Sequence, residues 1–256
     1  LDRSSAASDV YKRQGLTIDP STGVISGTVD KAASLGGANQ DGKFSAIITA
    51  SDAAGGVATT PVEFVVVNVA PQALPDAETV AEDARLLGQN VLTDNGSGAD
   101  ADGTPDSDVL TVTQVNSVAL AAGSSLIDLA LTSGALLTIG SDGGYTYNPN
   151  GQFKHLGAGE TATDSFSYVI ADGNGGSATA NVTITITGVN DVPVAVDDGA
   201  SGAPLLTAFE NVALDNIQVL GNDTDPDGDT LTITKASSAD GNVTINVDGT
   251  LKFEPK

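Results

Sequence analysis

The sequence predicts an all-β fold made of tandem Greek-key β-sandwich modules in an elongated array. First, strand-forming Thr and Val alternate with turn-forming Gly, Asp and Asn, and almost no stretch has the period of a long amphipathic helix. Second, aromatic residues make up 4% of the 256 residues, so the cores must be aliphatic and thin, as suits small modules in series. Third, long stretches of the sequence recur along the chain.

One repeat relates the segment 141–149 to the segment 247–255, and each copy has Asp-Gly near its start and Pro at its end. We expect the Asp-Gly pair to form a tight turn into a strand whose alternate residues face the same way. The stretches before these segments, 90–113 and 218–234, also share one order of elements. This repetition predicts two modules with a common plan.

A second repeat relates 44–67 to 166–187, with a strand, an acidic turn containing two glycines, and another strand in each copy. In the later copy Val182, Ile184 and Ile186 share one face and threonines share the other. Alternation of this kind is typical of a half-buried strand, so each copy is predicted to be a hairpin in a sandwich.

These repeats predict three segments. Residues 15–70 are the C-terminal part of one module, 71–191 form a complete module, and 192–256 begin a third that ends before its closing hairpin. A proline follows the last strand at each boundary, where it would end the strand ladder and stiffen the linker. We call residues 68–71 the first joint and residues 190–193 the second joint.

The first fourteen residues look foreign to these modules. Residues 4–14 resemble the translation of a transposase adaptor used in DNA library preparation, and a natural basic tail is the alternative. We therefore exclude residues 1–14 from the fold prediction, as for any sequence added by processing.

The charge and residue types exclude several functions. Ten Lys and Arg against 33 Asp and Glu give a formal net charge of −23, which disfavours nucleic acid and anionic membrane surfaces but attracts cations. There is no Cys for disulfides or thiolate metal sites, and His155 is the sole histidine. No Gly-x-Ser-x-Gly elbow occurs either. We expect no enzyme, although abundant Asp leaves paired carboxylates for glycoside hydrolysis arithmetically available.

The acidic loops are candidates for metal binding. Residues 222–229 include four carboxylates, and Ca²⁺ prefers six to eight oxygen ligands brought together by turns. The ligands predicted in this loop are Asp223, Asp225, Asp227 and Asp229. Solvated acidic turns are the alternative, since Asp, Asn and Gly are ordinary turn residues. An EF-hand is disfavoured because the loop lacks a Glu at its twelfth position and flanking helices.

Several of these stretches resemble known repeats. Residues 16–27 look like an Ig-like, dystroglycan-type cadherin repeat, and residues 171–176 with 189–193 look like the cadherin hairpin and its linker. Phe209-Glu210-Asn211 is similar to the cadherin opening, for which Glu82 is the counterpart in the middle segment. The resemblance is to bacterial cadherin-like and Ig-like tandem repeats, including the VCBS type, of large secreted RTX-type adhesins.

The resemblance implies calcium ions where two modules meet. At the second joint the implied ligands are Glu82, Asn190, Asp191, Asp225 and Asp227. At the first joint they are Asn68, Asp100, Asp102 and Asp172. The cadherin Asp-Arg-Glu motif has no clear counterpart, which implies fewer ions at each joint. The first joint also lacks the aspartate of the second, so the second is the better candidate.

We therefore expect a non-catalytic structural repeat segment of a bacterial cell-surface or secreted adhesin, stiffened by Ca²⁺ and by contacts between neighbouring repeats. Host or matrix glycans or proteins would be met through regions outside this sequence. One alternative is a carbohydrate- or protein-binding module, and another is an accessory region of a secreted hydrolase. A binding module would need an exposed aromatic patch, whereas the aromatic residues of the middle segment alternate along strands like core or face residues: Tyr145, Tyr147, Phe166 and Tyr168.

Overall fold

The computed structural model describes residues 16–27, 42–52, 54–93, 96–103, 108–199 and 206–256. Within these ranges every regular element is a β-strand, which confirms the all-β prediction. The same ranges contain no helix that is long and apolar enough to cross a membrane. Residues 1–14, with their adaptor-like sequence, lie outside the described residues.

The middle segment is a sandwich of two sheets. One sheet has the strand order β6-β11-β10-β9 and the other has the order β5-β13-β12-β7-β8. Strands distant along the chain are neighbours in both sheets, as in Greek-key folds. The strand bounds are β5 Asp76–Ala81, β6 Leu86–Asn90, β7 Thr111–Val115, β8 Val118–Ala119, β9 Ser125–Ala130, β10 Leu136–Gly140, β11 Gly144–Asn148, β12 Thr161–Ala171 and β13 Ser177–Thr187.

The core of the sandwich follows from the alternation along its strands. In β13 Val182, Ile184 and Ile186 are fully buried, as the period-2 pattern predicts. Each such side chain stabilises the fold by about 1.5–3 kcal/mol through burial of apolar surface. The aromatic side chains of Tyr145, Tyr147, Phe166 and Tyr168 are also core residues. The rings of Tyr145 and Phe166 meet edge to face with centroids 5.4 Å apart.

Strand pairing places the two joints at opposite ends of the middle sandwich. The hairpin of β12 and β13 turns at residues 172–176, beside the first joint, whereas β13 ends at Thr187, next to the second. The eleven residues of β13 span about 35 Å. Strand β5 runs parallel to β13, and the Glu82 N–H donates a hydrogen bond to the Thr187 carbonyl. Glu82 is therefore held at the end occupied by the second joint.

The first segment consists of two hairpins in its described parts. Strands β1 (Leu16–Ile18) and β2 (Ile25–Gly27) pair antiparallel, as do β3 (Lys43–Ser51) and β4 (Val57–Val65). The β3–β4 hairpin corresponds to the β12–β13 hairpin, which confirms the prediction that each copy of the second repeat forms a hairpin.

The third segment contains β14 (Leu214–Ile217), β15 (Gly241–Ile245) and β16 (Leu251–Pro255). Its strand order β14-β16-β15 matches the order β6-β11-β10 of the middle segment. Gly143 and Gly249, before β11 and β16, have φ of 83° and 82°, a conformation that favours glycine in a tight turn. Between residues 206 and 256 no apolar side chain is fully buried, so this segment has only a partial core.

Candidate metal sites at the two joints

The chain approaches the second joint through Gly188, which packs against a neighbouring turn. A Cβ on Gly188 would lie 2.3 Å from the Gly157 carbonyl oxygen and 2.4 Å from that of Leu156, so no larger residue fits without moving the backbone. The Gly188 N–H donates a hydrogen bond of 2.8 Å to the Glu160 carbonyl. These contacts fix the direction in which the linker leaves the middle segment.

Glu82 lies beneath this linker with 3% of its surface exposed. Its Oε1 accepts a hydrogen bond of 3.0 Å from the Val189 N–H. Its Oε2 is buried and has no hydrogen-bond partner among the described residues. A buried carboxylate oxygen without a partner costs free energy, so it calls for a cation or another donor.

Two aspartates bring further unpartnered oxygens to Glu82. The Asp191 N–H donates a hydrogen bond of 2.7 Å to Oδ2 of Asp227, which ties the linker to the acidic loop of the third segment. Asp191 Oδ2 and Asp227 Oδ1 are buried without partners in the described structure. One carboxylate oxygen from each of Glu82, Asp191 and Asp227 lies within 4.8 Å of the other two. The set provides the hard oxygen donors that Ca²⁺ prefers.

The acidic loop forms a second group that shares Asp227. Carboxylate oxygens of Asp225, Asp227 and Asp229 also lie within 4.8 Å of one another. The loop is folded around Asp225, whose Oδ1 accepts hydrogen bonds from the N–H groups of Asp227 and Asp229 at 3.0 and 3.4 Å. Because Asp227 belongs to both groups, it could bridge two ion positions.

The remaining predicted residues near the second joint are held differently. Asp223 Oδ1 accepts a hydrogen bond of 2.8 Å from the Val196 N–H, which fastens the chain after the joint to the acidic loop. Asn190 is exposed, and its Nδ2 donates a hydrogen bond of 2.6 Å to the Asp191 carbonyl. Both lie beside the carboxylate groups without belonging to either.

Sequence reasoning missed a lysine at the second joint. The Nζ of Lys154 lies 2.5 Å from Asp83 Oδ1 and 2.7 Å from Asp191 Oδ1. The hydrogen bonds to Asp191 and Asp83 both raise the pKa of Lys154 above its usual value, and the bond to Asp191 has the larger effect. The only signal in the sequence is one basic residue among many acidic ones, between the apolar Phe153 and Leu156.

The first joint has a different geometry. The Asn68 Nδ2 donates a hydrogen bond of 2.6 Å to Asp172 Oδ2, and Asp172 Oδ1 accepts from the N–H groups of the hairpin turn. Asn68 Oδ1 and Asp102 Oδ1 are buried without partners in the described part of the chain. Among the described residues this end of the sandwich holds no group of three carboxylates like those at the second joint.

Asp100, predicted as a ligand at the first joint, instead points into the middle segment. Its Oδ1 accepts a hydrogen bond of 2.7 Å from the Leu74 N–H, and its Oδ2 accepts one of 2.9 Å from the Tyr168 hydroxyl. Burial raises the pKa of Asp100, and these two hydrogen bonds oppose the rise. With both oxygens engaged, Asp100 acts as part of the core, and its role as a metal ligand stays a prediction.

Comparisons with known proteins match three successive parts of the chain. Family models match in succession: Putative Ig domain at residues 14–67, Bacterial cadherin-like domain at 68–188 and Bacterial Ig domain at 190–256. No curated protein matches the chain.

The solved structures similar to the chain include cadherin ectodomains. The extracellular cadherin domains 1-5 of protocadherin gamma B2 are 15% identical (TM-score 0.34), with 98% of this chain and 45% of that chain covered. The human desmocollin-1 ectodomain is 14% identical (TM-score 0.34; 96% and 44% covered), and human CDH23 EC21-23 is 14% identical (TM-score 0.39; 95% and 75% covered). The chain spans less than half the length of the first two. From residue 14 onward it is thus similar to bacterial Ig-like and cadherin-like domains in tandem, which confirms the resemblance seen in the sequence.

Proposed function

We propose that this chain is a non-catalytic structural segment of a bacterial cell-surface or secreted adhesin, and that Ca²⁺ stiffens its joints. One observation carries the proposal: the carboxylates of Glu82, Asp191 and Asp227 converge at the second joint, and each has a buried oxygen without a partner in the described structure. They come from the middle segment, the linker and the third segment. An ion bound to all three would therefore connect the two segments.

Electrostatics explains why an ion would stiffen this joint. Three carboxylates within 4.8 Å repel each other by about 1 kcal/mol per pair even at the dielectric constant of water, and by more where they are buried. A divalent cation turns this repulsion into attraction. Because it binds the assembled joint but not the separated segments, it stabilises the assembled state in proportion to the logarithm of its concentration.

The donor set supports calcium over other metals. All three groups are carboxylates, and no Cys occurs in the chain, so the soft or nitrogen-rich sets that zinc prefers are missing here. Asp225 and Asp229 would extend the site through Asp227. At the first joint Asn68 Oδ1 and Asp102 Oδ1 would offer a weaker position.

Features of the middle segment support a structural role over a binding or catalytic one. Tyr145, Tyr147, Phe166 and Tyr168 are buried, so they provide no stacking surface for a sugar. His155 is exposed in a turn. Placement outside the cell is supported by the matched domain types, since bacterial cadherin-like and Ig domains are typical of surface proteins.

Calcium titration of the full chain tests the proposal. After treatment with a chelator, calorimetry should detect Ca²⁺ binding, and small-angle scattering should show a narrower distribution of lengths when Ca²⁺ is added. Mg²⁺ should be less effective because it demands a stricter octahedral geometry. Glu82→Gln should weaken Ca²⁺ binding by at least about tenfold, since charge count sets the affinity of such sites. The absence of any calcium-dependent change in heat or scattering up to millimolar concentration would contradict the proposal.

A further inference from the structure

An ammonium group lies at the edge of the carboxylate group in the second joint. Lys154 Nζ contacts Oδ1 of Asp191 at 2.7 Å, while Oδ2 of the same carboxylate is buried without a partner among the described residues. Asp191 therefore contacts the lysine through one oxygen, and its carboxylate also belongs to the group with Glu82 and Asp227. The lysine and the proposed ion would share a ligand.

The core of the middle segment holds Lys154 in place. Its neighbours Phe153 and Leu156 are 7% and 6% exposed, and both belong to the hydrophobic core. The Leu156 N–H donates a hydrogen bond of 3.0 Å to the Phe153 carbonyl, which closes the turn that presents the lysine. The backbone of this turn also contacts Gly188 at the start of the linker. Because Phe153 and Leu156 are buried in the core, the turn between them holds Lys154 in a fixed position at the second joint.

Asp83 adds a second contact from another part of the middle segment. Its Oδ1 lies 2.5 Å from Lys154 Nζ, and it directly follows Glu82. The ammonium thus bridges the turn that carries Glu82 and the linker that carries Asp191.

We propose that Lys154 is a resident cation that sets the calcium affinity of the second joint: it holds Asp191 against the middle segment when metal is absent and opposes the entry of Ca²⁺. This inference rests on the proposed calcium site. The lysine supplies one positive charge beside Glu82, Asp83, Asp191 and Asp227. It therefore partly neutralises the group, and the joint takes up calcium only at a higher concentration than its carboxylates alone would require.

Coulomb's law gives the size of the effect. A positive charge several ångströms from a divalent ion lowers the affinity for that ion by about tenfold in water-like surroundings, and by more where water is excluded. Arginine would keep the charge, whereas glutamine would remove it and keep a side chain that can donate a hydrogen bond.

The experiment compares Lys154→Gln with Lys154→Arg in the full chain. Lys235→Gln is the matched control, because Lys235 is exposed in the third segment and its replacement changes net charge equally. Calorimetry with Ca²⁺ should show about tenfold tighter binding for Lys154→Gln, and binding within twofold of the original chain for the other two variants. In chelator, amide hydrogen exchange at residues 189–191 should be faster in Lys154→Gln than in the original chain.

Each outcome decides between the two proposals. If the original chain binds Ca²⁺ and Lys154→Gln binds it equally or more weakly, the inference about Lys154 is wrong and the proposed function stands. If only Lys154→Gln binds Ca²⁺ up to millimolar concentration, the opposing role of Lys154 is supported, and stiffening of the original chain by Ca²⁺ is contradicted. If no variant binds Ca²⁺, both proposals fall. Unchanged exchange at residues 189–191 in chelator would overturn the holding role by itself.

Discussion

The two joints of this chain arise from similar sequence but close in different ways. At the first joint the Asn68 amide donates a hydrogen bond to Asp172, whereas at the second joint Asp191 lies near Glu82 and Asp227 with an oxygen that lacks a partner. An amide carries both donors and an acceptor, but an ionised carboxylate only accepts. The linker residue that meets the acidic side chains is therefore a hydrogen-bond donor at the first joint, whereas at the second joint it is an additional carboxylate.

A close backbone approach accompanies both joints. A Cβ on Gly176 would lie 2.1 Å from Asp172 Oδ2 and 2.9 Å from Pro71 Cδ at the first joint. Gly188 has the same role at the second, against the carbonyls of residues 156 and 157. Both joints are thus packed closely, and they differ in charge rather than in fit.

The largest expected effect comes from breaking the second joint with Asp227→Asn. This change removes the carboxylate that belongs to both acidic groups, so we expect calcium affinity to fall about hundredfold, since ligand charge count sets affinity. Calorimetry of the full chain measures this. Asp240→Asn, at an exposed position outside both groups, is the matched control and should leave affinity within about twofold. Equal loss in both variants would mean that net charge alone attracts calcium.

A second change tests whether Asp100 belongs to the core rather than to the first joint. Tyr168→Phe removes the hydroxyl that lies 2.9 Å from Asp100 Oδ2 and 3.2 Å from Asp76 Oδ2 and should cost about 1–3 kcal/mol of stability, because these buried carboxylates lose a donor. Thermal melting should show the same loss with and without Ca²⁺.

Tyr145→Phe is the control for this change. The Tyr145 hydroxyl is buried without a partner in the described structure, so its removal should leave stability unchanged or raise it slightly. A loss for Tyr168→Phe that appears only with calcium would instead place Asp100 at a metal site.

A third change should give the first joint the character of the second. Asn68→Asp replaces the donor to Asp172 with a second carboxylate, which should destabilise the metal-free joint by about 1 kcal/mol through the lost hydrogen bond and the new repulsion. Added Ca²⁺ should restore this stability. Melting curves in chelator and in calcium measure both effects, and a loss that calcium leaves unchanged would show that the first joint cannot accept an ion.

The smallest expected effect is a pH dependence that separates the third segment from the middle one. A hydrogen bond from Asn246 lowers the pKa of Asp215, and one from Thr250 lowers that of Asp248, each from an ordinary value of 3.8. When the folded pKa is lowered, the unfolded state binds more protons, so this stability is present above about pH 4 and is lost as the pH falls further. The raised pKa of Asp100 acts in the opposite direction.

Amide exchange at pH 3, corrected for its intrinsic pH dependence, measures this difference. Strands β15 and β16 should lose protection before β12 and β13 do. Equal loss of amide protection in the two segments would contradict the pH dependence that we attribute to Asp215 and Asp248.

Much of the fold could be predicted because its signals are local. Alternation along β13 marked Val182, Ile184 and Ile186 as core residues, and the Asp-Gly pairs marked turns whose glycines have positive φ. The acidic residues near the second joint could also be predicted, because they lie in short sequence motifs. Lys154 could not be found in this way, because its contact with Asp191 joins residues 37 positions apart.

The sequence alone predicted a series of β modules and the positions of its joints, and it showed that many acidic side chains lie near those positions. Only the tertiary structure decided how those side chains divide. Tyr168 and the Leu74 N–H draw Asp100 into the core, Asn68 satisfies Asp172, and Glu82, Asp191 and Asp227 meet at the second joint. The reason is physical: strand periodicity and turn formation depend on neighbours in the chain, whereas the partner of a carboxylate depends on which distant strands and turns pack against it.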